Sequence, residues 1–129
     1  MTAQNTKIIT IIVIVLIVAF AAYGFFVSGV FFPGRATLKW NANTEPNIAG
    51  YKIYYGTTPR TGDCPRGGYT KIIDVNNNTN YTVDKLRNNQ TYYFSVTSYN
   101  SAKKESCFSQ EMSKTIKITW RDFLNKFKK

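Results

Sequence analysis

Seven carboxylates are the only side-chain acids in the chain: Glu45, Asp63, Asp74, Asp84, Glu105, Glu111 and Asp122. Acid–base catalysis needs such groups to converge on a reacting atom, usually with a histidine or a second carboxylate. Histidine is absent, which removes His-based triads, His general bases and His-containing zinc sites. No two carboxylates have the spacing of a metal loop. Gly67 and Gly68 read as a turn, since no phosphate-binding pattern surrounds them. Asp74 and Asp84 fall on or beside strand-like runs, where a solvated outer face is the expected role. The residue types therefore point away from an enzyme, and no cofactor is implied.

The remaining polar candidates are weak. Asn77, Asn80 and Asn89 each begin an N-x-T sequence, but all three lie in Asn-rich turns that need no glycan to explain them. The net charge is +10. Lys and Arg are spread along the chain except at its end, so they outline no nucleic-acid stripe. Lys103 and Lys104 form a small basic pair in a loop, a candidate contact for an acidic partner.

These side chains must be carried by elements, and the apolar residues divide the chain. Residues 8–32 read IITIIVIVLIVAFAAYGFFVSGVFF without a charge. The run is long enough for a hydrocarbon core of about 30 Å. A cleavable signal peptide has a shorter apolar region and a small-residue cleavage site after it. The expectation is therefore one uncleaved transmembrane helix over 8–32. A short cytoplasmic tail, 1–7, would precede it. Lys7 on one side and Arg35 and Lys39 on the other leave orientation undecided by charge alone. The usual arrangement places the N-terminus in the cytoplasm and the larger domain in the periplasm or outside the cell. That gives a location in the inner or plasma membrane.

From Ala36 the pattern changes to period two. Leu38 and Trp40 share a face, as do Tyr51, Ile53 and Tyr55, then Ile73 and Val75, then Tyr81 and Val83. Tyr92, Phe94 and Val96 follow, and Ile116 and Ile118 close the series. The separators NTEPN, TTPRTGDCPRGG, VNNNTN, RNNQ and NSAKKES are turn-rich. Six short strands without intervening helices predict an all-β antiparallel sandwich over 36–118.

The segments ATLKWNANTEPNIAGYKIYYGT, YTKIIDVNNNTNYTVDKL and QTYYFSVTSYNSAKKESCFSQEMSKTI resemble a bacterial-type fibronectin type III domain. In that resemblance Trp40 matches the buried tryptophan of strand B. Tyr92 matches the tyrosine that opens strand F, and Leu86 matches the leucine of the E–F corner. The resemblance implies an immunoglobulin-like sandwich and is silent on activity, because this fold hosts many functions. One feature departs from the pattern. Only Pro33, Gly34 and Arg35 separate the apolar run from strand B, so strand A is missing or shortened. An uncovered strand edge invites pairing, and a partner, the tail or a nearby membrane is expected to cover it.

Alternating strand directions place the loops. Residues 57–68 and 86–90 would lie at the pole nearest the N-terminal helix. Loops 41–49, 76–80 and 100–106 would lie at the far pole, as the default binding surface. Cys64 and Cys107 are an even pair in a chain with an export-type segment, which favours a disulfide. The same topology separates them, with Cys64 in a near-pole loop and Cys107 just past a far-pole one, so two separate thiols remain the alternative. Tyr54, Tyr93 and Tyr99 fall on the outer face of strands C and F. There they would form either a shallow aromatic platform or ordinary cross-strand pairs.

The last segment, 119–129, reads TWRDFLNKFKK. Trp120, Phe123, Leu124 and Phe127 share one helical face. Arg121, Lys126, Lys128 and Lys129 line the other, and Thr119 with Asp122 offers a cap. Such a basic amphipathic helix suits an anionic lipid surface, the sandwich itself or a neighbouring subunit. The sequence is thus expected to encode a non-catalytic, single-pass membrane protein presenting an interaction domain. Its expected role is accessory or structural subunit among other integral membrane subunits. The alternative is an adhesion or glycan-binding module.

Overall fold

A computed structural model describes residues 3–28, 33–65, 67–119, 121–122 and 125. It begins with helix α1 (Ala3–Ser28). Strands follow as β1 (Gly34–Lys39), β2 (Ile48–Gly56), β3 (Lys71–Asn76), β4 (Asn80–Leu86), β5 (Thr91–Asn100) and β6 (Met112–Thr115). They form two antiparallel sheets, one of order β1–β4 and one of order β3–β2–β5–β6. Period-two alternation explains the layering, because successive side chains point to opposite faces. Ala36, Tyr51, Ile53, Val75, Val83, Leu86, Phe94 and Ile116 meet as the core between the sheets. Each fully buried aliphatic side chain there contributes roughly 1.5–3 kcal/mol.

The corner between β4 and β5 forms as the resemblance implied. Leu86 is buried, and the backbone N–H of Arg87 donates to the Tyr92 hydroxyl at 3.1 Å. The Ile118 N–H donates to Asn88 Oδ1 at 2.8 Å, and Ile116 N–H donates to the Gln90 carbonyl at 2.9 Å. The final strand, Met112–Thr115, stops short of the Ile116 and Ile118 that the alternation included, but Ile116 just beyond it is still held in the core. Gly34 starts β1 at a close approach, where a Cβ would run into Ile116. Turn chemistry appears at Asn76 and Asn89, whose φ angles are 51° and 57°, a left-handed conformation that Asn tolerates well.

The membrane expectation is corrected. Among the described residues no helix is long and apolar enough to cross a membrane. That overturns placement in the cell membrane, with its cytoplasmic N-terminus and exported domain. The described side chains of α1 are exposed and apolar, including Leu16, Ile17 and Phe20.

The two-pole separation of the cysteines is also corrected. The 57–68 loop folds back along the outer face of the four-stranded sheet, and the Phe108 N–H donates to the Asp63 carbonyl at 2.7 Å. Cys64 and Cys107 are joined in a disulfide across that contact.

Candidate functional site

The outer face of the β3–β2–β5–β6 sheet is where polar side chains gather. Lys52 and Tyr54 on β2, with Ser95, Thr97 and Tyr99 on β5, project to this side by strand alternation. Glu105 enters from the segment between β5 and β6. It accepts hydrogen bonds from the Tyr54 hydroxyl at 2.7 Å, from the Thr97 hydroxyl, and from Lys52 Nζ at 3.0 Å. Burial pushes the Glu105 carboxyl up, but those three donors and the Lys52 charge outweigh it and hold the group below the usual carboxylate value. Burial and then Glu105 raise the Tyr54 phenol well above its ordinary value. The pair is thus a neutral phenol donating to a carboxylate.

Two more tyrosine–carboxylate pairs share the face. Tyr69 donates to Glu111 Oε2 at 2.6 Å, and the Ser95 hydroxyl donates to Tyr69 at 2.8 Å. Burial first, then Glu111, pushes the Tyr69 phenol up to about 12. Tyr99 donates to Asp74 Oδ1 at 2.9 Å, and the Asn76 backbone N–H and Tyr99 together hold Asp74 below its usual value. The Phe108 ring closes over Tyr54 and Tyr69 at centroid distances of 5.0 and 5.3 Å. Arg60 ties the loop down, its N–H donating to Glu111 at 2.8 Å and its guanidinium to the Ser109 carbonyl at 2.9 Å. Buried polar groups cost little when so paired. This arrangement locks a loop onto a sheet, with Glu105, Glu111 and Asp74 each engaged by a phenol.

The open aromatic platform is therefore corrected. Tyr54 is 5% and Tyr99 3% exposed: Phe108 and Glu105 close over Tyr54, and Tyr99 lies under Lys103 and donates to Asp74. Tyr93 is half-buried. Of the basic pair, Lys103 places its Nζ 4.4 Å from the Tyr99 ring centroid, and Lys104 is exposed. In the tail, Thr119 and Asp122 form the anticipated cap, with Asp122 Oδ2 accepting from the Thr119 N–H at 2.8 Å, and Arg121 is exposed. Trp120, Phe123, Leu124, Lys126, Phe127, Lys128 and Lys129 lie outside the described residues. Glu105, Lys52, Thr97, Tyr69 and Glu111 were not singled out from the sequence. The available signal was an outer strand face of Tyr, Ser and Thr with few charges, the composition of a face that something covers.

A second feature lies at the opposite side of β5. A cavity of about 230 Å³ opens between Trp40 at the end of β1 and the segment Ser106–Ser109. Asn43, Tyr51 and Ser98 also line it. Trp40 packs edge-on against Tyr51 at 5.8 Å, and its indole N–H is buried without a partner among the described residues. Beside this cavity β1 is paired on one side only, with β4, among the described residues.

No curated protein matches the chain. A solved structure of similar fold is the third fibronectin III domain of the human KIAA0343 protein. It is 21% identical, with a TM-score of 0.53, over 67% of this chain and 73% of that one. The fibronectin type III domain model matches residues 33–115, the same span that carries the two sheets and the Tyr92 corner. The chain belongs to the fibronectin type III family.

Proposed function

We propose that the domain is a non-catalytic protein-interaction module and serves as an accessory or structural subunit of a larger assembly. The observation that carries this reading is that β1 is paired, among the described residues, with β4 alone. A sheet edge with free backbone groups is a binding element unless it is covered. The surrounding architecture supports it, since the central strands β2 and β5 of the larger sheet are covered on both faces and offer a rigid scaffold for recognition. The 119–129 segment is a second docking element in this reading. The glycan-binding alternative would need Tyr54, Tyr93 and Tyr99 as an open platform, and the burial of Tyr54 and Tyr99 takes away its support.

The test is affinity capture of the full chain with mass spectrometry, beside a version ending at Ile118. Mild detergent is needed because α1 exposes apolar side chains. Stoichiometric protein partners are expected, and their loss from the shortened chain would assign docking to the tail. A chain that captures no protein in stoichiometric amount overturns the reading.

A further inference from the structure

The open edge of β1 has a readable chemistry. The Trp40 N–H donates to the Thr79 carbonyl at 3.0 Å, so Trp40, and two residues earlier Leu38, aim their backbone groups at the β4 side. Antiparallel alternation then aims those of Thr37 and Lys39 at the unpaired side. On the face of β1 turned to the core, Ala36 is buried and Leu38 half-buried, while Arg35, Thr37 and Lys39 on the other face are exposed. On the core side, the end of this edge meets the cavity between Trp40 and Ser106–Ser109.

We propose that this edge receives an extended strand from a partner protein, a segment in which acidic residues alternate with apolar ones. The inference rests on the interaction-module reading above and names the partner's chemistry. A strand added beside β1 continues its pleat, so alternate side chains fall on opposite faces. Those on the outer face come beside Arg35, Thr37 and Lys39, two of them cations. Arg35 already shares its charge with Asp84 at 2.9 Å, which leaves Lys39 the main source of the acidic preference. Side chains on the core face come over Leu38 and Trp40, where apolar groups remove surface from water. A second copy of this chain fits poorly. Two β1 strands paired about Thr37 would set Arg35 opposite the other copy's Lys39, and like charges directly opposite destabilise a pair.

The probe is a blocked ten-residue peptide of alternating Asp and Val, with a Lys–Val peptide as control, added to the full chain in mild detergent. The readout is amide hydrogen exchange at Thr37 and Lys39. The Asp–Val peptide is expected to slow both amides at least tenfold, with weaker binding at higher salt. Thr37→Pro removes an edge N–H that β4 does not use, and it should abolish the protection. Lys39→Glu keeps the backbone and should weaken binding at least threefold. Unchanged exchange at Thr37 and Lys39, equal binding of the Lys–Val peptide, or full binding to Thr37→Pro overturns the proposal. Affinity capture separates the two levels. Partners retained equally by Thr37→Pro sink the edge assignment and leave the interaction reading standing, whereas the absence of partners from both chains sinks that reading itself.

Discussion

The two sheets of this sandwich bury their residues in different ways. The central strands of the larger sheet, β2 and β5, are covered on both faces. Along β5, core residues such as Phe94 and outward residues such as Ser95, Thr97 and Tyr99 are alike buried. The β1–β4 sheet is covered on one face, and its outward residues Arg35, Thr37, Asp84 and Lys85 are exposed. The larger sheet achieves double burial by a polar route, with three phenol–carboxylate bonds and a disulfide-linked loop in place of a second apolar layer. Labour is divided between the two sheets: β2 and β5 make a closed scaffold, while β1 has a neighbour on one side only among the described residues.

Substitutions can break that comparison, and their expected costs fall in order. Ile53 on β2 is 0% exposed. Ile53→Ala should cost about 4 kcal/mol through lost burial and the cavity left behind, measured by denaturant unfolding. Replacing Cys64 and Cys107 together by Ser should cost about 3 kcal/mol, because their sequence separation of 43 closes a long loop. Limited proteolysis should then cut the 57–68 loop first. If the loop stays resistant, its hydrogen bonds alone hold the cover. Glu105→Gln should cost about 2 kcal/mol by weakening bonds from Lys52, Tyr54 and Thr97, while Lys39→Ala on the exposed sheet should change stability by less than about 0.5 kcal/mol.

Titration sharpens the same contrast. Glu105 is held below its ordinary value of 4.5, so the folded chain favours its ionised form. Its contribution is present above about pH 4.5 and is lost as pH falls through the lower folded value. Tyr69 is raised from 10.0 to about 12, so the folded chain favours its neutral form. That contribution is complete below pH 10 and is lost as pH rises from 10 to about 12. Stability measured against pH should therefore fall at both ends. Glu105→Gln should remove part of the acid limb and Tyr69→Phe part of the alkaline one. A Tyr69→Phe chain with an unchanged alkaline limb would show that the outer cover does not control this phenol.

Some of this was legible in the residues themselves. The alternation of Tyr51, Ile53 and Tyr55, and of Tyr92, Phe94 and Val96, marked the buried faces of β2 and β5. Leu86 with Tyr92 marked the corner. These are local signals, since side-chain direction in a strand repeats every two residues regardless of what lies beyond. Other features were decided only when distant segments met. Nothing in the spacing of Cys64 and Cys107 says that the 57–68 loop turns back over β2 and β5. That depends on Asp63 meeting Phe108 and on Arg60 meeting Glu111, contacts more than 40 residues apart in sequence. Phe108 and Glu105, in the segment that the loop meets, turned Tyr54 from an apparent platform residue into a covered side chain. The core-facing residues of β2 and β5 were thus set locally, because side-chain alternation along a strand acts over a few residues. The tertiary structure alone decided which outer face was closed, because closing it required long-range hydrogen bonds and a disulfide that no local pattern encodes.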